Sequence, residues 1–367
     1  MSHRGTGSIA SARDTRRRRL RAPYYASTVT PRPDRLPRLL LPAIIGTTVL
    51  IARAGDAHRT SAILLLLEPV AWVAGIWSIY AAFSIGRRRL AGSLMIAVIV
   101  SAILLRVVET GPIPPGQPPA TLSRLKACAR ILPLPTAPIR LVQWHVSANE
   151  VQGIAEVVLG VHPDLVVLTG APDDTVAEAV ASGMGGGRVA LQTPEGAALF
   201  FTRGVFQNCG DDDGWTHVPT SGSASAFVFA GVPPATTLPI LLVQAPSPLS
   251  EPRYDSAAAA ELSGAATFAS ELASSLLVVL ADGPSASTAR GLDRALRPSG
   301  LTNAANLPNW PTSLVGVPWP VPLHPFDRAW AASAWGRRES RLLRGADTQR
   351  HGVLTELSPS LALAPAP

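Results

Sequence analysis

Three apolar stretches dominate the first third of the chain: Leu36–Ile51, Ser61–Ile85 and Leu90–Val108. A helix rises about 1.5 Å per residue and the hydrocarbon of a bilayer is about 30 Å thick, so about 20 mostly apolar residues cross it. The pattern predicts three membrane-spanning helices, the first being the shortest and carrying Pro37 and Pro42 early. After Ile139 the texture changes to short apolar runs that alternate with alanine-rich helical periods. Buried strands are expected at 139–146, 164–170, 197–202, 226–230, 239–243, 276–280 and 353–357, and helices at 150–161, 173–184, 255–274 and 287–296. Many strands with a few interspersed helices predict an α/β domain with a two-sheet core and helices outside. Between the two regions, Gly111–Ala120 (GPIPPGQPPA) reads as a semi-rigid spacer holding the domain off the bilayer, and Thr121–Leu132 as a weakly amphipathic stretch on the membrane surface. The chain thus divides into an arginine-rich tail (1–35), the membrane helices (36–108), a proline-rich neck (109–137), the α/β domain (138–358) and a short C-terminal tail (359–367).

Charge adds a direction to this layout. Arg16–Arg19 and Arg21 precede the first span, and Arg87–Arg89 separate the second from the third. Basic residues in short loops stay on the cytoplasmic side. The expectation is therefore an inner (plasma) membrane protein with the loop Arg53–Thr60 and the whole C-terminal domain outside the cytoplasm, although Arg53 and Arg59 in that loop pull the other way. No early apolar core with a small-residue cleavage site marks a signal peptide. Glu68 falls within the second span and Arg106 near the outer end of the third, and buried charges in lipid are normally paired. A structural interhelix pair is expected ahead of a transport role.

The net charge of +7 conceals two opposite halves: 19 basic against 5 acidic residues up to Ala137, and 13 against 20 beyond it. A nucleic-acid-binding domain replaces counterions on phosphates and carries a basic footprint, so the acidic C-terminal half argues against DNA or RNA as partner. Lys126 is the only lysine, and the arginine, alanine and proline content reads as base-composition bias. Cys128 and Cys209 are too few for a disulfide framework or a cysteine-rich metal site. CGDDDGW, with Asp211–Asp213, lacks the alternating ligands of a calcium loop, and Gly183–Gly187 (GMGGG) lacks the Lys-Ser/Thr pair of a phosphate cradle. These read as a solvated turn and a flexible connection. Serine-hydrolase and zinc-protease motifs are absent.

The succession IRLVQWHVSANE, HPDLVVLTG, LPILLVQAPSP, LLVVLADGPSAS, PLHPFDRAWAA and GADTQRHGVLTEL resembles the endonuclease/exonuclease/phosphatase superfamily, the deoxyribonuclease-I-like fold. Membrane-tethered members with three N-terminal helices belong to that family. The resemblance spans Pro138–Leu357 and rests on strand order more than on identities. It implies a four-layer αββα sandwich in which a divalent metal, usually magnesium, polarises a phosphodiester while an Asp-oriented histidine assists attack by water. Magnesium takes hard oxygen ligands, so that chemistry needs an asparagine, a glutamate, a first histidine, an Asp-x-Asn pair and a final Asp-His pair.

Position by position, the resemblance implies a depleted site. The asparagine ending the first strand is His145, and the metal-binding glutamate ending the second is Gly170. The histidine after the strand 239–243 is Ala245. The Gly-Asp-Phe-Asn signature reads Ala281, Asp282, Gly283, Pro284. Asp327 is kept but Arg328 replaces the histidine after it. The closing Ser-Asp-His falls on Thr348, Gln349 and Arg350, with Asp347 and His351 beside it but out of register. Losing so many groups, each commonly worth orders of magnitude in rate, implies a degenerate enzyme with a binding or assembly role and no cofactor. The alternative is an active phosphodiesterase or phosphatase with a rearranged site of His145, Asp282, Asp327, Asp347 and His351, using Mg2+ or another divalent cation with Asp282 as its metal position. Arg337, Arg338, Arg341 and Arg344 form the domain's basic cluster, a solvated face by default and otherwise a dock for a protein partner or an anionic lipid headgroup.

Overall fold

The computed structural model describes most residues between 59 and 129 and between 137 and 359. Its main interruptions are 108–112, 147–152, 171–173, 208–215, 218–224, 232–235, 282–285, 309–312, 319–326 and 346–349, with shorter ones elsewhere. The first expected span, both cysteine side chains and Asp211–Asp213 lie outside what is described.

The helices are α1 (Arg59–Leu66), α2 (Glu68–Ser84), α3 (Arg88–Val107), α4 (Ala120–Ala129), α5 (Ile154–Gly160), α6 (Asp174–Met184), α7 (Tyr254–Leu272) and α8 (Ala286–Leu296). The strands are β1 (Ile139–Val146), β2 (Leu165–Gly170), β3 (Gly187–Thr193), β4 (Gly196–Thr202), β5 (Val205–Gln207), β6 (Thr216–His217), β7 (Ser225–Gly231) and β8 (Thr236–Gln244). They continue as β9 (Leu277–Ala281), β10 (Thr302–Ala305), β11 (Ser313–Leu314), β12 (Val317–Pro318), β13 (Arg328–Ala331), β14 (Trp335–Leu343) and β15 (Gly352–Pro359).

One sheet runs β14-β15-β1-β2-β4-β3 and the other β10-β13-β9-β8-β7-β5 with β6 beside β7. Each has a parallel pair at its centre, β1–β2 and β8–β9, flanked by antiparallel strands. Period-2 alternation assigns the faces. Ile139 and Leu141 of β1, with Leu165, Val167, Val353 and Leu357, join the core shared with the second sheet. Val142, Trp144 and Val146 point the other way, onto Ile154 and Val158 of α5 and Val176, Val180 and Met184 of α6. On the far side of the second sheet, Phe268 and Leu272 of α7 and Leu292 and Leu296 of α8 close the core. The order helices, sheet, sheet, helices gives a four-layer α/β sandwich.

Two connecting segments differ from the sequence expectation. Leu122 and Leu125 of α4 are buried in the inter-sheet and α7 core, and Lys126 pairs with Glu271 of α7. The amphipathic stretch therefore covers protein and not the membrane surface, because α7 and the second sheet offer its two leucines a dry partner. The proline-rich stretch also docks: Ile113 packs on the core and the Gly116 N–H donates to Thr267 Oγ1 at 2.8 Å. Gly183 serves packing as well, since a Cβ there would collide with Leu159 of α5.

Ahead of the domain, α2 and α3 form a helical hairpin that turns at Gly86, whose φ of 76° suits a residue without Cβ. Ala82, Ala91 and Leu94 meet in the seam, with Gly75 against Val98. That register brings Glu68 and Arg106 to the same end of the hairpin; their side chains lie outside what is described. Ile76, Trp77, Tyr80 and Phe83 of α2 and Met95, Ile96 and Ile99 of α3 are all about half or more exposed. Among the described residues no helix is both long and apolar enough to cross a membrane. Within the expected second span, α1 packs Ala62 on Tyr254 and Ala258 of the domain.

Burial of Leu125 makes α4 an integral part of the sandwich. Leu125→Ala is expected to destabilise the domain by about 2–4 kcal/mol in denaturant unfolding; a loss below about 0.5 kcal/mol, ordinary for a surface site, would show that α4 lies elsewhere.

Candidate functional site

The C-terminal ends of β1, β2, β8 and β9 lie at one end of the sandwich. Gln143 establishes this. Its side chain is buried between the sheets, and Nε2 donates to the Leu280 and Arg328 carbonyl oxygens, each at 3.1 Å. One amide thus ties the end of β1 to the end of β9 and the start of β13. β8 ends level with them, Gln244 pairing with Ala281.

His145 stands one step above Gln143 on the same face of β1. It pairs in register with Thr169 of β2, and its Nδ1 lies 3.3 Å from Thr169 Oγ1. On the other side, β1 pairs with β15 up to Gln143–Val353; continued two residues, that register sets His145 opposite His351. The Trp144 Nε1–H donates to the Arg350 carbonyl oxygen at 3.1 Å, pinning the approach to β15. Asp327 is buried immediately before β13, and Arg328 is partly buried at its start. Of the residues expected at the site, His145, Asp327 and His351 are therefore at this end. Asp282 and Asp347 lie outside the described residues, although Ala281 places the approach to Asp282 here too. The arginine cluster is elsewhere on the sheet: Arg337, Arg338 and Arg341 belong to β14, an edge strand, where exposed Arg341 faces Glu339 at 4.0 Å. Arg344 is exposed in the turn after it.

Gly170 is the informative position. It ends β2 opposite Val146 with φ of 93°, a conformation that side-chain-bearing residues rarely adopt. A Cβ placed there would be driven into the Val146 carbonyl oxygen and would lie 3.1 Å from His145 Cε1. The backbone where the resemblance expects the metal-binding glutamate is shaped for glycine, and in this conformation it leaves no room for a side chain. Gln143 and Thr169 were not singled out from sequence. The available signal was a polar residue at an inward position of β1, where Ile139 and Leu141 set the phase.

The residues described here do not by themselves make a cage for a hard dication. At this end they offer the His145 and His351 imidazoles, the Thr169 hydroxyl, the Gln143 amide oxygen and one carboxylate, that of buried Asp327, whereas magnesium takes a cage of hard oxygen donors. Among the described residues no group of three or more His, Cys, Asp or Glu is placed to hold a metal ion. An open pocket of about 290 Å³ lies between α1 and the start of α7, lined by Arg59, Arg253, Tyr254 and Asp255.

Burial, and after it the Arg344 guanidinium, hold the His351 imidazole below its ordinary value of 6.5. Below 6.5 the unfolded chain takes up this proton more readily than the folded one, so the stabilisation present above that pH is lost as the pH falls through the folded-state value. Thermal unfolding at pH 7.5 and pH 5 is expected to show a smaller acid-induced drop in Tm for His351→Gln than for the parent; equal drops would remove His351 from the account.

No family model matches the chain, and no curated protein matches it. Solved structures do. An endonuclease/exonuclease/phosphatase from Beutenbergia cavernae aligns at 16% identity over 61% of this chain and 72% of its own, with a TM-score of 0.42. The human Nocturnin catalytic domain with bound sulfate aligns at 14% identity, 62% and 96% coverage and a TM-score of 0.42. An endonuclease/exonuclease/phosphatase family protein from Bacteroides thetaiotaomicron aligns at 10% identity, 61% and 98% coverage and a TM-score of 0.40. At these values the likeness says nothing of activity, and the sandwich rests on the chain's own strand order. The solved structures to which this chain is similar include endonuclease/exonuclease/phosphatase-family proteins, the superfamily that its sequence resembles.

Proposed function

We propose that this chain is a membrane-anchored, catalytically degenerate protein of the endonuclease/exonuclease/phosphatase fold, whose domain serves binding or assembly outside the cytoplasm. The observation that carries the degenerate reading is Gly170, where both backbone conformation and the Val146 carbonyl exclude the carboxylate that a dication would need. His145, Arg328 and Arg350 replace three further groups of the hydrolytic set. The anchor is supported by apolar side chains on the outside of the α2–α3 hairpin, an arrangement that is costly in water and favourable in lipid. The arginines before the first apolar stretch and between the second and third support the orientation. Contact of Arg59 with Asp255 and Leu249 agrees with it, because that loop and the domain then share one side of the membrane.

The full-length protein in lipid nanodiscs is expected to give no turnover above background with bis-p-nitrophenyl phosphate, plasmid DNA or phospholipid, in magnesium, manganese or calcium. Gly170→Glu is expected to lower stability by about 1–3 kcal/mol, the cost of a residue forced into a sparsely populated backbone region, and to create no activity. Metal-dependent turnover that disappears in Asp282→Ala would replace this reading with that of an active phosphoric-ester hydrolase.

A further inference from the structure

A single exposed leucine is ordinary on a protein surface, but the position of Leu249 is not. Its side chain is 66% exposed, and among the described residues every other large apolar side chain so exposed belongs to the α2–α3 hairpin. It lies in the connection between β8 and α7, followed by Pro252 and Arg253, both exposed. This connection is fastened to the chain just ahead of the hairpin. Arg59 Nη2 donates to the Leu249 carbonyl oxygen at 3.1 Å, the Arg59 N–H donates to Asp255 Oδ1 at 2.7 Å, and Ala62 packs on Tyr254 and Ala258.

Two short tethers then limit how far the domain stands from the hairpin. Arg59 and Glu68, the first residues of α1 and α2, are nine residues apart, and α1 itself, Arg59–Leu66, spans about 10 Å of helix. At the other end, five residues lie between Val107, which ends α3, and Ile113, which packs on the core, at most about 20 Å of extended chain. Gly116 fastens the returning segment to Thr267 of α7. Both tethers meet the domain along α7, and the tethered loop at the start of that helix is the one that presents Leu249.

We infer that Leu249 and Arg253 sit in the headgroup layer of the leaflet that the hairpin leaves, and that they seat the domain on the bilayer surface. The inference rests on the membrane-anchored reading above. Leucine gains from the acyl boundary, while arginine lays its stem along it and keeps its guanidinium among the phosphates. Glu251 Oε1 accepts the Arg253 N–H at 3.0 Å, which fixes the shape of this turn. Because β8 ends at the level of Gln143 and His145, a seat on this loop turns the His145 end of the sandwich toward lipid. A ligand entering that end then arrives from the leaflet.

The test uses the full-length chain in phosphatidylcholine–phosphatidylglycerol vesicles, with Cys128 and Cys209 changed to serine. A bimane label is placed on Leu249→Cys, on Ile99→Cys in the hairpin, or on Ala179→Cys on the exposed side of α6, in the opposite outer layer. With nitroxide carried high on the lipid chains, Leu249→Cys and Ile99→Cys are expected to be quenched at least twofold more than Ala179→Cys. Quenching at Ile99→Cys but not at Leu249→Cys would overturn the seat and leave the anchor standing; quenching at neither would overturn both. Should the serine background fail to fold, amide exchange at Leu249–Arg253 in the unmodified chain is expected to be slower in nanodiscs than in amphipol, and equal rates would overturn the inference.

Discussion

Each sheet of this protein is organised on a parallel strand pair, and a parallel pair has to be covered on both faces. The runs Leu238–Val243 and Leu276–Leu280 are apolar at nearly every position and buried throughout. They admit the first sheet on one side and α7 with α8 on the other. The same demand at β1–β2 brings α5 and α6 to the outer face of the first sheet. Four layers follow from two such pairs placed face to face. The docking of α4 follows too, since Leu122 and Leu125 extend the cover over the second sheet where α7 leaves room.

Stacking two parallel pairs in this way also collects their C-terminal ends, and the Gln143 side chain holds that collection in register across the sheets. This is where a related fold would place its metal. Here β2 finishes in a glycine conformation against a carbonyl oxygen, and the neighbouring strand contributes an imidazole leaning on a threonine hydroxyl. With that glycine, β2 brings no carboxylate to this end, while Asp327 stands buried just before β13. On the degenerate reading proposed above, this end serves recognition through hydrogen bonds from histidine, threonine and arginine.

Much of the fold was legible in the sequence, and two of the missed strands have a clear cause. β1, β2, β8, β9 and β15 are runs buried on one or both faces, so their apolar continuity or alternation marks them. β3 (GRVALQT) and β14 (WGRRESRLL) are the two edge strands of the first sheet. Edges carry polar and charged residues that keep them from pairing with other chains, and β14 accordingly read as a basic cluster. Thr121–Leu132 was read as amphipathic with the membrane as its partner, because an apolar face does not say what covers it. At the site, the identity of Gly170 was visible, but its positive φ and its contact with Val146 required the paired strands. Gln143 looked like one more residue of an apolar strand until the second sheet supplied its two carbonyl acceptors.

The central claim is that oxygen donors no longer converge where β1 and β2 end. Crystals of the protein soaked in manganese, with anomalous scattering measured at the manganese edge, address it directly. The account expects no peak within coordination distance of residues 145, 170, 282 or 327. An ordered ion at that end, held by carboxylates from Asp282, Asp327 or Asp347, would contradict it.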